Sequence, residues 1–164
     1  MADERLWAPW RLEYIRSPSP DECIFCRAVS AEDDERQLVV ERGERCFVML
    51  NAFPYTSGHL MVAPYAHLPS IEDLDPAALT ELMTLSQRSL AALRRNYGPD
   101  GFNLGINEGS VAGAGIEDHV HLHVVPRWGG DTNFMPVIGG TRVLPQSLGE
   151  SWQELRRRFD ERSP

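Results

Sequence analysis

Residues 119–125 read His-Val-His-Leu-His-Val-Val, and the rest of the chain is best understood outward from them. Side chains alternate along a strand, so His119, His121 and His123 share one face while Val120, Leu122 and Val124 share the other. One face suits a core; the other carries imidazoles. Core packing does not require three of the chain's five histidines at strict period two. Imidazole is a common metal ligand, but at ~3.3 Å per residue the outer two histidines stand about 13 Å apart at Cα, so two but not readily three can share one ion. Nucleophilic catalysis uses the row more naturally. A neutral imidazole with a pKa near 6.5 can attack phosphorus while its neighbour donates to phosphate oxygens or to the leaving group.

Upstream of the row, GSVAGAGIED (109–118) supplies glycines whose backbone can approach an anion; downstream, Pro126-Arg127 ends the strand with a cation. Further strands are expected at 37–40 and 46–50, paired across Glu41-Arg42-Gly43-Glu44, and at 58–64 and 102–107. Asp75-Pro76 starts a long helix on which Leu79, Leu82, Met83, Leu90, Leu93 and Tyr97 recur, with Arg94 and Arg95 in its last turn and Gly98-Pro99 as its stop. Leu148, Trp152, Leu155 and Phe159 predict a C-terminal helix starting near Ser147 or Ser151. The acidic run 32–35 reads as a solvated turn. Strands surrounding one long helix predict an α+β domain with a largely antiparallel sheet, spanning 21–164 behind an irregular aromatic arm at 1–20 that carries Trp7, Trp10 and three prolines.

Composition narrows the partners. The 164 residues are 42% hydrophobic and 24% charged with no apolar run of membrane length, and a net charge of −8 argues against a broad grip on nucleic acid. A small anion focused at one site remains compatible. The N-terminus lacks a secretory apolar region, and three cysteines are an odd number for a disulfide framework, so a reducing, cytoplasmic setting is expected. Phe47, Leu50 and Phe53 flank Asn51, where an apolar slot could take a purine, although strand aromatics are more often core. Cys46 reads as core. Cys23-Ile-Phe-Cys26 has metal-knuckle spacing but is only half a zinc site; a redox pair or a buried thiol pair fits equally.

The run 119–125 matches the His-φ-His-φ-His-φ-φ pattern of the histidine-triad (HIT) family, and NAFPYTSGHLMVAP (51–64) resembles that family's nucleotide-contacting segment. PRWGGDTNF (126–134) and LWAPWR (6–11) resemble its bacterial diadenosine tetraphosphate phosphorylase branch. The resemblance implies a HIT-like fold, with a mainly antiparallel five-stranded sheet, one long helix and a C-terminal helix, in a homodimer. It implies His121 as nucleophile on the α-phosphorus of an adenine dinucleotide and His123 as its assistant. Asn51 would contact ribose, His59 would lie near the active site, and Asn107 would open the phosphate-side loop. It also implies a structural zinc on Cys23, Cys26, His67 and His119, with no organic cofactor.

Two departures stand out. Family hydrolases carry Ser or Thr three residues before the first triad histidine, where this chain has Ile116, and the interval from Asn107 to His119 is one residue longer. Ser110 and the backbone of Gly113 or Gly115 are the substitutes expected for phosphate contacts. The acceptor is therefore open: inorganic phosphate gives phosphorolysis of diadenosine tetraphosphate to ADP and ATP, and water gives a dinucleoside polyphosphate or nucleoside phosphoramidate hydrolase. Two other classes make different predictions. A metal-dependent hydrolase loses activity promptly to chelators and forms no covalent adduct; a nucleotide-binding module binds AMP and consumes no dinucleotide.

Overall fold

A computed structural model describes residues 22–131 and 146–161. The arm at 1–20 and residues 132–134, the end of the PRWGGDTNF stretch, lie outside the described residues. Helices α1 (Ile24–Ser30) and α2 (Asp34–Gln37) lead into strands β1 (Val39–Arg42), β2 (Cys46–Leu50) and β3 (Leu60–Pro64). Helix α3 (Pro76–Tyr97), strands β4 (Gly101–Ile106) and β5 (Leu122–Arg127), and helix α4 (Leu148–Asp160) follow, with single 3₁₀ turns at Ile71–Asp73 and Ser110–Ala112. The strands form one sheet in the order β1-β2-β3-β5-β4, and every pair is antiparallel. The expected α+β architecture, with a five-stranded sheet, a long helix and a C-terminal helix, is thus observed. Among the described residues, no helix is long and apolar enough to cross a membrane.

Period two along the strands gives the sheet two apolar faces. Val48, Leu50, Leu60, Val62, Leu122 and Val124 pack with Leu82, Leu85 and Leu93 of α3 and with Leu155 and Phe159 of α4. Phe47, Met49, Met61 and Ala63 point the other way and are covered by Phe25 and Ala28 of α1. Helix α3 begins as its sequence predicts: Asp75 accepts from the Ala78 N–H, Pro76 takes the first turn, and Gly98 ends the helix in the left-handed region at φ 55°. Its buried stripe is set differently from the apolar recurrence. Ala78, Leu82, Leu85, Ser86, Ser89, Ala92 and Leu93 face inward, whereas Leu79 and Met83 are 41% and 49% exposed. The buried serines are tolerated because their hydroxyls donate to Leu82 O and Leu85 O one turn back. Helix α4 starts with a capping box between Ser147 and Glu150, and Ser151 is buried inside it. Its Trp152 Nε1 and Arg156 Nη1 donate to the carbonyls of Val39 and Val40, at 2.7 and 2.9 Å.

Several boundaries differ from sequence expectation for local reasons. Residues 34–37 are helical because Asp33 accepts the Arg36 N–H and Leu38 closes the turn at φ 61°, so β1 begins at Val39 and the acidic run is not merely a solvated turn. Asp34 pairs with Arg42 at 2.8 Å. Strand β5 begins at Leu122, three residues after His119. There the His119 ring takes the Pro64 carbonyl and the Val120 N–H goes to Leu68 O, which ends ladder pairing with β3. The inward burial of Val120, Leu122 and Val124 nevertheless persists.

The β1–β2 turn rests on one side chain. The carboxylate of Glu81 accepts the N–H groups of Glu44, Arg45 and Cys46. Burial alone would raise its pKa, but these three donors and Arg45 outweigh it and the carboxyl titrates below its ordinary value. Glu81→Ala is expected to cost about 2 kcal/mol in denaturant unfolding. Because the folded pKa is the lower one, this contribution is complete above the unfolded value of about 4.3 and fades as pH falls through the folded value. The E81Q protein should therefore show a shallower acid destabilisation between about pH 5 and 3 than wild type, and parallel profiles would refute the assignment.

Candidate active site and metal cluster

The histidine row divides on folding. His119 and His121, both buried, lie against Phe25, whose ring centroid is 4.9 and 4.8 Å from theirs. The short helix α1 thus supplies a wall that the Cys-x-x-Cys motif does not itself advertise; the signal is the apolar Ile24-Phe25 between the cysteines.

Hydrogen bonding fixes which nitrogen of each ring carries the proton. His121 Nδ1 lies 2.9 Å from the His119 carbonyl. A carbonyl only accepts, so Nδ1 is the protonated nitrogen and Nε2 keeps its lone pair. In the connection leading into β3 the Tyr55 N–H donates to His59 Nδ1 at 3.2 Å. His59 therefore carries its proton on Nε2, which donates to His123 Nδ1 at 2.9 Å and leaves His123 protonated on Nε2. The two adjacent rings, 4.8 Å apart at their centroids, hold opposite tautomers: Nε2 of His121 offers a lone pair and Nε2 of His123 a proton. Burial lowers the pKa of His121, with the His119 carbonyl pulling the other way, so the ring is neutral at neutral pH. Burial lowers His119 as well.

His59 is held by a stacked Tyr55 ring at 4.8 Å and is itself buried. Gly58 before it is required on two counts. Its φ is 78°, and a Cβ there would lie 2.7 Å from the Tyr97 ring. Asn51 directly follows β2, with its N–H on the His59 carbonyl at 2.9 Å, and its side-chain oxygen accepts the Phe53 N–H. Phe53 is 53% exposed. The expected slot of Phe47 with Leu50 does not form as such. Phe47 lies under α1, stacked on Tyr65 at 5.5 Å, whereas Leu50 is in the core against α3. Their odd separation in a strand puts them on opposite faces. Met49, two residues before Asn51, shares the face of Phe47 instead.

Around the phosphate-side loop, Asn107 follows β4 and Ser110 starts the 3₁₀ turn, with Gly109 and Gly113 at φ 77° and 87°. The Gly113 N–H donates to Ser110 O at 2.9 Å, so this amide serves the loop's own turn rather than an anion. Ser110 and Gly115 are exposed. Ile116 packs on the cluster under α1, which accounts for an apolar residue where the hydrolases carry a hydroxyl. Arg127 is not a spare cation: its guanidinium is bound by both carboxylate oxygens of Asp131 and by Asn103 Oδ1.

His67 joins the other half of the row. Cys23, Cys26, His67 and His119 bring one ligand atom each within 4.8 Å of one another, a cluster that could hold a metal. His119 Nε2 donates to Pro64 O at 2.9 Å, which turns its Nδ1 lone pair toward the cluster. The Nδ1 atom lies 3.4 Å from Cys23 Sγ, 3.8 Å from Cys26 Sγ and 3.2 Å from His67 Nδ1, and Cys26 Sγ to His67 Nδ1 is 3.2 Å. Tetrahedral zinc with ~2.3 Å bonds to sulfur and ~2.05 Å bonds to nitrogen has edges of about 3.3–3.8 Å, close to these four separations, within a cluster whose ligand atoms span up to 4.8 Å. Cys46 takes no part: burial, then Glu81, push its thiol up to about 12, and its Sγ faces Ala78 O.

The sequence profile of the HIT domain matches residues 32–130. The chain belongs to the HIT family. An AP-4-A phosphorylase of Mycobacterium tuberculosis is 40% identical over 156 residues, covering 90% of this chain and 80% of that protein. The HIT fold is seen in a crystal structure of a Zn-bound histidine triad family protein from Mycobacterium smegmatis, with a TM-score of 0.69 and 31% identity over 85% of this chain and 94% of that one. A Plasmodium falciparum diadenosine triphosphate hydrolase shares the fold alone, with a TM-score of 0.62, 18% identity, and coverage of 93% and 94% of the two chains.

Proposed function

We propose that this HIT protein is a nucleotidyltransferase that phosphorolyses diadenosine tetraphosphate to ADP and ATP through a nucleotidyl-histidine intermediate. The observation that carries the reading is the pair of opposite tautomers at His121 and His123, each imposed by neighbouring protein groups. His121 Nε2 attacks the α-phosphorus; an N–P bond forms, the P–O bond to the leaving ATP breaks, and the Nε2 proton of His123 stabilises the departing oxygen. An oxygen of inorganic phosphate then attacks the same phosphorus, the N–P bond breaks, ADP leaves, and His121 is restored. Asn51 serves the ribose, with Phe25 and Met49 as the apolar wall for the base, and Asn107, Ser110 and Gly115 line the polyphosphate side. The 40% identical mycobacterial AP-4-A phosphorylase supports phosphate over water as acceptor, and Ile116, turned into the apolar layer, is compatible with it.

The Cys23, Cys26, His67 and His119 cluster holds zinc in this reading, as a closed structural site. Its chemical role is indirect, since His119 joins the cluster through its ring and holds His121 through its carbonyl. The exposed Leu104, 43% accessible on the core side of the edge strand β4, favours a homodimer that covers this strand; a sedimentation mass of one chain would refute the dimer.

Resolving the products from diadenosine tetraphosphate with and without inorganic phosphate tests the reaction. Phosphate-dependent ADP plus ATP is expected. AMP plus ATP regardless of phosphate would make the protein a hydrolase, and no turnover would eliminate both.

A further inference from the structure

Both ends of the loop 107–118 are fastened to one short segment, residues 67–71, that also carries the metal-cluster residue His67. At the far end the Val120 N–H donates to Leu68 O at 2.7 Å. At the near end the carboxylate of Glu108, from 37 residues along the chain, accepts the Ile71 N–H at 2.8 Å. The Ser70 hydroxyl donates to both Glu108 oxygens, at 3.1 and 3.2 Å, while accepting the Glu72 N–H. The 3₁₀ turn at Ile71–Asp73 already has Ser70 as its cap, so Glu108 is not needed merely to start it.

A carboxylate beside a polyphosphate site is unfavourable for an anionic ligand unless it is engaged elsewhere. Here it is engaged, and it adjoins Asn107 in the sequence and stands two residues before Ser110. We propose that Glu108 is a positioning residue, a clasp that holds the phosphate-side loop to the His67–Ile71 segment so that Asn107 and Ser110 are pre-arranged for the substrate's phosphates. The kinetic part of the proposal rests on the function proposed above; the structural part does not. Glu108 and Ser70 lie at the surface, where one lost contact loosens a loop without unfolding a domain.

Amide hydrogen exchange of the ligand-free, full-length protein tests the clasp, with E108A, E108Q and S70A compared to wild type. Gln retains an acceptor for the Ile71 N–H and a polar contact for Ser70, so it should rescue what Ala loses. E108A is expected to speed exchange across 107–118 by about tenfold or more, S70A by less, and E108Q to stay within about threefold of wild type. Melting temperature and metal content should stay unchanged. With diadenosine tetraphosphate, E108A should raise KM by about tenfold with little change in kcat, and E108Q should restore it. Unchanged loop exchange in E108A, acceleration spread over the whole chain, an E108Q protein as impaired as E108A, or loosened loops with unaltered KM would each overturn the proposal. A wild-type protein that turns over no dinucleotide would remove the functional reading and leave the exchange result to decide the clasp alone.

Discussion

His121→Asn is expected to abolish dinucleotide turnover, by about 10³-fold or more, while leaving the fold intact. Asn is the informative replacement because its side-chain NH₂ can occupy the place of the imidazole Nδ1. It can keep the donation to the His119 carbonyl that His121 makes at 2.9 Å, and it removes only the ring edge bearing Nε2. The melting temperature should move by no more than about 4 °C, which is about 1 kcal/mol for a domain of this size. A second readout separates nucleophile from bystander. Wild type quenched in alkali during turnover should retain labelled nucleotide on the protein, and H121N should retain none. Full activity in H121N, or an adduct that persists in it, would move the nucleophile elsewhere. The assignment depends on tautomer as well as position, since a row of histidines without the His119 carbonyl and the Tyr55 N–H would have no preferred attacking nitrogen.

The joint replacement of Cys23 and Cys26 by Ser has the largest expected effect on stability. Purified wild type should carry about one zinc per chain, and the double variant none. The expected cost is at least about 3 kcal/mol, or about 10 °C in melting temperature, because metal binding is linked directly to folding and α1 is held at the cysteines. Activity should fall with stability, since the same His119 that enters the cluster positions His121. Chelation distinguishes this from metal chemistry. Under conditions where the fold survives, chelator-treated protein should still form the covalent nucleotide adduct, whereas prompt loss of adduct would place the metal in the reaction. A wild-type preparation free of zinc after expression in zinc-replete medium would remove the zinc reading.

Much of the fold is legible locally. Asp75-Pro76 and Gly98 bracket α3 because capping and left-handed backbone are decided within a turn, and Ser147 with Glu150 marks α4 for the same reason. The strands β2 (Cys46–Leu50) and β3 (Leu60–Pro64) follow from their continuous apolar character, although β3 starts two residues later than the expected 58–64. Other features depend on distant groups. That β5 starts at Leu122 reflects competition from the His119 ring for the Pro64 carbonyl, which no periodicity contains. Leu79 and Met83 belong to the helical pattern but face outward, because the sheet meets α3 along Ala78, Leu82 and Leu85. Phe25 stands out only once α1 lies across the histidine face, and Arg127 is a cation in sequence that Asp131 and Asn103 occupy in space.

By itself the sequence determined the histidine row, its alternation with buried aliphatics, the pair of cysteines and the family, because period and spacing are properties of neighbouring residues. Tertiary structure decided what each histidine is. His119 is turned into the Cys23, Cys26 and His67 cluster, His121 keeps its lone pair on Nε2 because Nδ1 donates to the His119 carbonyl, and His123 keeps its proton on Nε2 because His59 donates to its Nδ1. The physical reason is that a histidine's role depends on which ring nitrogen holds the proton, and that is set by carbonyls and amides that the fold brings from other parts of the chain.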